Sequence, residues 1–172
     1  MKIARRKFAG FLCPLLVSTI GFVVTMPQAV RADPPSNALL HNLNGSYAYL
    51  FTGTVFLPAP FDAFNGPFFR MGQIVADGRG NVMASYVGNF NGTVSKGTFP
   101  ATYVFTSENT FTLIIPNAPI PGIPSGVPTL LLMDGVLADN GKIAKCVLSG
   151  VSIGGQTPPN IGSVITGELI KQ

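Results

Sequence analysis

The chain has 172 residues, of which 47% are hydrophobic and only 10% are charged. This length fits one domain with a single hydrophobic core once a targeting segment is set aside. Residues 1–32 contain five of the eleven Lys and Arg residues and none of the seven acidic ones, so the remainder carries 6 − 7 = −1. That balance excludes a basic nucleic-acid surface and a polybasic membrane arm.

Residues 1–32 have the layout of a secretory signal peptide. A basic stretch, KIARRK, precedes an uncharged and mostly apolar run over 8–26, and Val30 and Ala32 suit cleavage before Asp33. The alternative is a retained membrane anchor, because the apolar run is nearly long enough to span a bilayer. We predict cleavage, export to the periplasm or the medium, and no membrane association afterwards.

The stretch RRKF at 5–8 also resembles the twin-arginine export motif R-R-x-F. Ala4 stands where that motif usually has Ser or Thr, so the ordinary basic region of a signal peptide is the alternative interpretation. Both export routes stay open, and they lead to the same predicted location.

Cysteine usage limits the redox chemistry of the predicted mature chain. Cys13 leaves with the signal peptide, so Cys146 is the only cysteine that remains. An intramolecular disulfide is then impossible. We interpret Cys146 as a small buried apolar residue rather than a nucleophile.

After residue 32, strand signals dominate the sequence. Glycine and proline recur too often for helices, and the runs between them are rich in Val, Ile, Thr, Phe and Tyr. We predict an N-terminal extension over 33–44, which is loose, and a β-barrel domain over 45–172. The eight predicted strands are 46–56, 68–76, 81–90, 98–106, 109–115, 129–138, 142–153 and 163–171. Sequential hairpins favour an all-β fold with a single closed antiparallel barrel, because closure removes unpaired edges.

Two of these strands show which faces are buried. In the first, Tyr47, Tyr49 and Phe51 alternate with smaller residues, which predicts a sheet with one buried face. The stretch TLLLM at 129–133 is apolar on both faces, so we expect a partner subunit or a loop to cover its outer side.

Three links are too long and too rich in proline to be tight turns: 57–67, 116–128 and 154–162. The second contains five prolines, whose rings fix φ and stiffen the backbone. We therefore predict that 116–128 is a shaped cover, whose exposed Ile120, Ile123 and Val127 need a surface to pack against.

The stretch QIVADGRGNVMA at 73–84 raises three alternatives: a phosphate-binding loop, half of a calcium loop, or a tight turn. A phosphate loop opens a helix and a calcium loop needs several carboxylates, whereas a strand signal follows Asn81 and only Asp77 is acidic. A shortened echo, DGVLADNGKI, occurs at 134–143. Both stretches are typical of glycine-containing hairpin turns.

Four segments together carry a family resemblance: LNGSYAY at 43–49, GQIVADGRGNV at 72–82, NFNG at 89–92 and GTFPATY at 97–103. They resemble small exported bacterial β-barrels of the calycin-like, allene-oxide-cyclase type, many of which have no assigned function. The resemblance implies the barrel fold. It places no catalytic residue of the cyclases on this chain.

The chain offers little conventional catalytic chemistry. His41 is the only histidine, and the carboxylates are scattered, so we predict neither a metal site nor a cofactor. Charged residues in mid-strand are more informative, because a charge on an apolar face is costly unless it is paired. If those faces line the barrel, Arg70 would pair with Asp134 or Glu168 in a polar cluster; if they face outward, the charges are solvated.

These residues define the candidate site. Asp134 and Glu168 are the acid or base candidates, and the ligand-binding candidates are Arg70, Tyr47, Tyr49 and Tyr103. We predict an exported barrel that binds an apolar or aromatic small molecule. The alternatives are a cofactor-free isomerase or cyclase on the same scaffold, and a structural protein that forms homo-oligomers. A fourth alternative is an outer-membrane barrel. The absence of tryptophan and the Ile-Lys-Gln terminus make it less favoured than the others.

Overall fold

The structure, a computed structural model, describes residues 37–57, 59–60, 62, 65–155 and 163–172. Contacts divide the chain into the units Met1–Ala32 and Asp33–Gln172, and all described residues belong to the second. The predicted signal peptide lies outside the described residues and stays a prediction. So do parts of two predicted loops, at positions 58, 61, 63–64 and 156–162.

In the described part of the chain, eight antiparallel strands form a closed barrel in sequence order. The strands are β1 (Asn44–Val55), β2 (Gly66–Asp77), β3 (Asn81–Phe90), β4 (Thr93–Phe105), β5 (Thr110–Pro116), β6 (Thr129–Ala138), β7 (Ile143–Ile153) and β8 (Val164–Lys171). β1 pairs with both β2 and β8, which closes the cylinder and leaves no free edge. The predicted all-β fold and single antiparallel barrel are confirmed.

Strand alternation builds the core as the sequence predicts. Tyr47, Tyr49 and Phe51 of β1 are all buried, whereas Leu50 between them is 44% exposed. Successive side chains in a strand point to opposite faces, so this one strand contributes three large rings to the interior. The barrel core is accordingly aromatic at its centre.

Two mid-strand glycines allow the strands to approach closely. A Cβ at Gly72 would lie 1.9 Å from the carbonyl oxygen of Ser85, and one at Gly167 would lie 2.1 Å from the Phe51 ring. Any side chain there would push neighbouring backbone or core rings away. Both glycines therefore lie where the curled sheet brings backbone or a core ring too close for a side chain.

The stretch at 73–84 forms the β2–β3 hairpin turn. The Asp77 carboxylate accepts hydrogen bonds from the backbone N–H of Arg79 at 2.7 Å and of Asn81 at 3.0 Å. Gly78 and Gly80 have φ of 71° and 100°, the conformation that turns of this kind require. The echo likewise forms a short 3₁₀ turn, Asp139–Gly141, between β6 and β7.

The β3–β4 connection differs from the prediction. β4 begins at Thr93 rather than at 98, because Asn91 and Gly92, with φ of 45° and 89°, form a two-residue hairpin turn. The Asn89 side chain accepts the Gly92 N–H at 2.8 Å. Asn-Gly is a strong hairpin signal, so β4 can begin directly after these two residues.

A β-bulge alters β7. Leu132 pairs with Gly150 and Met133 pairs with Leu148, so Ser149 is the extra residue. A bulge of this kind shifts which side chains point inward. In the stretch 129–133, Leu131 packs against the core, and a Cβ at Gly150 would lie 3.1 Å from the Leu132 side chain. The covering predicted for the outer face of this stretch stays a prediction.

The two ends of the barrel are closed by different segments. At one end, which we call the closed end, residues 37–42 form a 3₁₀ turn and Leu43 is fully buried. The predicted looseness of the segment before β1 is therefore wrong for these residues, because their leucines cover the open mouth of the core. At the other end, the loop end, residues 117–128 form what we call the covering loop. Across the ranges described, no helix has the length and hydropathy that a membrane span requires.

Candidate functional site

The barrel interior contains two small apolar cavities, the first across its middle and the second at the loop end. Each has a volume of about 30 Å³. Both are bordered by Phe68, Leu131, Leu148 and Ile165, so they adjoin each other. A water molecule needs roughly 10–15 Å³ of such space, and ligand pockets usually have about 300–1,000 Å³. Within the residues that the structure describes, the interior holds no ligand-sized space while the covering loop is in place.

Arg70 of β2 borders the first cavity, and it is 97% buried, with an exposed fraction of 3%. Four aromatic rings surround its guanidinium carbon. The distances from that carbon to the ring centroids are 4.5 Å for Tyr86, 5.3 Å for Phe90, and 5.7 Å for both Phe68 and Phe99. Cation–π attraction acts at these distances and strengthens when water is excluded.

The Arg70 guanidinium has one hydrogen bond to the covering loop. Its Nη2 donates to the carbonyl oxygen of Pro119 at 2.6 Å, whereas Nε has no acceptor among the described residues. Burial lowers the pKa of Arg70, and the neighbouring Tyr49 and Tyr86 oppose that shift. A guanidinium nevertheless stays charged in proteins, so Arg70 places a buried cation beside the cavity.

The cross-strand partner of Arg70 is a glycine, which leaves the guanidinium stem uncrowded on that side. Arg70 pairs with Gly88 of β3, and a Cβ at Gly88 would lie 3.5 Å from the Arg70 Cβ and Nε atoms. The register follows from the hairpin turn at 77–81. That turn was recognisable in the sequence, so the Arg70–Gly88 pair could have been derived from it.

Tyr49 is the predicted ligand-binding tyrosine that the structure brings beside Arg70. It borders the same cavity, and its hydroxyl donates to the Ser85 carbonyl oxygen at 3.2 Å. Burial raises the pKa of Tyr49 to about 12, with the Arg70 charge acting in the opposite direction. Its hydroxyl is therefore protonated at neutral pH and can donate a hydrogen bond.

Tyr47 and Tyr103 lie at the closed end, away from the cavities. The Tyr47 hydroxyl donates to the Gly141 carbonyl oxygen at 2.9 Å. The Tyr103 hydroxyl lies 2.8 Å from the carbonyl oxygens of both Leu40 and Leu43. These contacts hold the 3₁₀ turns onto the barrel, which is a structural role.

Asp134 and Glu168 do not meet Arg70, so the predicted polar cluster does not form. Asp134 lies on the outer surface and accepts a hydrogen bond from the Thr112 hydroxyl at 2.7 Å. Glu168 is half exposed and pairs with Lys145 across β7 and β8. Strand alternation explains the difference, because the inward positions of β6 and β8 beside them belong to Met133 and Leu169.

Cys146 points into the core and is 5% exposed. Burial raises the pKa of its thiol to about 12. A thiol in this state is a poor nucleophile, because the thiolate is the reactive form. The interpretation of Cys146 as a small buried apolar residue is confirmed.

The covering loop is fixed mainly at its two ends. The Asn117 N–H donates to the Thr129 carbonyl oxygen at 2.6 Å, and the Thr129 hydroxyl donates to the Ala118 carbonyl oxygen at 2.8 Å. Between them, Ile120 borders the second cavity and is partly buried. An open hollow of about 530 Å³ is lined by residues 117–129 themselves. The middle of the loop thus has few polar ties to the barrel, and Arg70 supplies one of them.

No group of three or more His, Cys, Asp and Glu residues in the described ranges is placed to hold a metal ion. His41 lies exposed in the 3₁₀ turn at the closed end. Comparison of the chain with protein-family models, with curated proteins and with solved structures finds no match. The function must therefore be argued from the site itself.

Proposed function

We propose that this protein is an exported barrel that binds an apolar or aromatic small molecule at the loop end of its interior. The observation that carries the proposal is the pair of adjoining apolar cavities that end beneath Ile120 of the covering loop. Binding sites in barrels are commonly apolar and lie at the mouth. Export is proposed from the signal-like residues 1–32.

Ligand binding at this end requires the covering loop to move. The loop has ordered ends, but its middle rests on partly buried apolar side chains, namely Ile120, Ile123 and Val127. If these side chains moved away, the two cavities would join and open to solvent. A bound apolar ligand would then replace the contacts that the side chains had made with the barrel. Loops that move to admit a ligand usually belong to the less stable parts of a fold.

Binding agrees better with the geometry than catalysis does. Both proposed acid or base candidates, Asp134 and Glu168, lie on the outer surface of the barrel. The interior beside Arg70 contains Tyr49 as its hydroxyl donor, but no described carboxylate. We therefore place the isomerase or cyclase alternative second. A likeness to the calycin-like barrels is part of the same proposal, since a closed eight-stranded barrel is compatible with it.

The test is binding of N-phenyl-1-naphthylamine, a neutral aromatic probe whose fluorescence rises in apolar surroundings. We expect saturable binding with one probe per barrel. Leu148→Phe should weaken it, because Leu148 borders both cavities and the larger ring would fill them. Leu50→Phe makes the same change on the outer face and should leave binding unchanged. Absence of saturable binding, or equal effects of the two variants, would contradict the proposal.

A second candidate function is self-association through the outer face of β1–β3. Leu50, Met71 and Val87 are cross-strand neighbours in one row and are 44%, 51% and 51% exposed. Contiguous apolar rows on a sheet surface often mark protein contacts. Light scattering after size exclusion should then report a dimer that Met71→Lys converts to a monomer. A monomeric unaltered protein would remove this candidate.

A further inference from the structure

Arg70 carries a feature that a site for neutral molecules does not need. Among the charged side chains that the structure describes, it is the only buried one. Its guanidinium is enclosed by the rings of Tyr86, Phe90, Phe68 and Phe99. An ionised group in such surroundings is costly unless a partner compensates its charge.

The compensation that Arg70 receives from this chain is incomplete. The Pro119 carbonyl accepts from Nη2, Nε lacks an acceptor among the described residues, and neither ion pair found there involves Arg70. A guanidinium has five N–H donors arranged in a planar fork that matches a carboxylate. Among the described residues, one neutral carbonyl therefore leaves the positive charge without an anionic partner and the Nε donor without an acceptor.

We propose that Arg70 binds the carboxylate of an apolar or aromatic monoacid, which takes over the N–H now donated to Pro119. This inference rests on the proposed function and names its ligand class. The apolar body of the acid lies along the two cavities and replaces Ile120 there. A single negative charge is expected, because the described interior has no second buried cation to pair with another.

Competition for the Arg70 guanidinium connects binding to the position of the covering loop. When the carboxylate accepts from Nη2, the Pro119 carbonyl loses its donor, and the middle of the loop loses its tie to the interior. A carboxylate adds an opposite charge and a two-pronged match to the guanidinium fork, neither of which the neutral carbonyl supplies, so the exchange favours the anion. Opening of the loop then supplies the space that two cavities of about 30 Å³ lack.

The experiment compares a fluorescent acid, dansyl-undecanoic acid, with its methyl ester, which has nearly the same shape but no charge. The titrations use the protein purified from expression of the full chain. We expect the acid to bind about tenfold more tightly than the ester, or more. Arg70→Met should abolish this preference while ester binding persists, and Arg70→Lys should retain part of it, because lysine keeps the charge but not the fork.

Lys145→Met is the matched control, because it removes a cation from the outer surface. It should leave both affinities unchanged. Equal affinity of the unaltered protein for acid and ester, or an acid preference that survives Arg70→Met, would overturn the inference and leave the proposed function standing. Binding of neither dansyl probe would overturn the inference, and it would overturn the proposed function as well if N-phenyl-1-naphthylamine also fails to bind. If Arg70→Met does not fold by circular dichroism, the acid-to-ester ratio of the unaltered protein and of Arg70→Lys decides.

Discussion

The two ends of the barrel are closed by different kinds of contact. At the closed end, the Tyr103 hydroxyl lies 2.8 Å from two backbone carbonyl oxygens, and Leu43 is fully buried. At the loop end, Ile120 is only partly buried, and the hydrogen bond to Pro119 comes from a charged side chain. The largest fully buried side chains are Tyr47, Tyr103, Phe105, Phe111, Leu43 and Leu169.

This difference indicates a division of roles within one core. All six of those side chains lie in the half of the barrel toward the closed end, and none of them lines either interior cavity. The second cavity, the buried cation and the proline-rich loop lie toward the other end, and the first cavity extends from there across the middle of the barrel to Val82 and Ala101. One half therefore supplies stability, while the other has contacts that a ligand can replace at little cost.

The largest predicted effect is a difference in stability between the two halves. Phe111→Ala should lower the free energy of unfolding by about 3–5 kcal/mol, because Phe111 is fully buried and a cavity would remain. Ile120→Ala should lower it by only about 1 kcal/mol, because Ile120 is partly buried in a loop. Urea denaturation of each purified variant measures both values.

Phe69→Ala is the control for the first substitution. It removes the same ring from an outward position of β2 that is 40% exposed, and it should cost less than about 1 kcal/mol. If Ile120→Ala destabilises the protein as much as Phe111→Ala does, the covering loop is part of the rigid core. The loop could then not give way to a ligand.

The barrel was predictable because its signals are local. Alternation in β1, with Tyr47, Tyr49 and Phe51 on one face, and glycine turns such as 77–81 each specify structure over a few residues. The Asn91-Gly92 turn is an equally local signal. Because the prediction overlooked it, the predicted fourth strand began later than β4 does. Packing of Leu43 on the core depends instead on distant residues, so the segment before β1 looked loose.

The site was only partly predictable. Whether a charged residue in the middle of a strand points inward or outward depends on the neighbouring strands. In β2, Phe68 and Ile74 are apolar on one face, but Phe69 and Met71 are apolar on the other. The local pattern therefore does not say which way Arg70 points. The contact with Pro119 joins residues 49 positions apart and has no sequence signal.

A smaller difference is expected between two buried tyrosine hydroxyls. Tyr103→Phe should destabilise the protein by about 1–3 kcal/mol, because buried carbonyl groups at the closed end lose their donor. Tyr49→Phe should cost about 0.5–1.5 kcal/mol, because its hydroxyl makes one longer bond of 3.2 Å in the cavity half. The urea midpoints of the two variants measure the difference.

The same pair of variants tests where the 3₁₀ segment is held. Tyr103→Phe should speed amide hydrogen exchange at Leu43, whose N–H donates to the Leu40 carbonyl oxygen, and Tyr49→Phe should leave it unchanged. A larger stability loss from Tyr49→Phe would reverse the assignment of the two halves.

The smallest effect concerns the hairpin turns at the two ends and their response to acid. At the closed end, hydrogen bonds from the side chain and the backbone N–H of Asn81, and from the N–H of Arg79, hold the pKa of the Asp77 carboxyl below its usual value. At the loop end, the corresponding acceptor is the Asn89 amide, which does not titrate. Because the pKa of Asp77 is lower in the folded state, its contribution to stability is complete above the unfolded value of about 3.9. That contribution is lost as the pH falls through the folded value.

Amide chemical shifts followed by NMR from neutral pH downward test this prediction. The Arg79 and Asn81 amides should titrate together with a midpoint below about 3.9, and the Gly92 amide should not follow them. Asp77→Asn should abolish the transition, whereas Glu108→Gln, which removes an exposed carboxylate from another turn, should preserve it. A midpoint at or above the usual aspartate value would mean that the carboxylate does not hold this turn. Acid sensitivity would then not distinguish the closed end from the loop end.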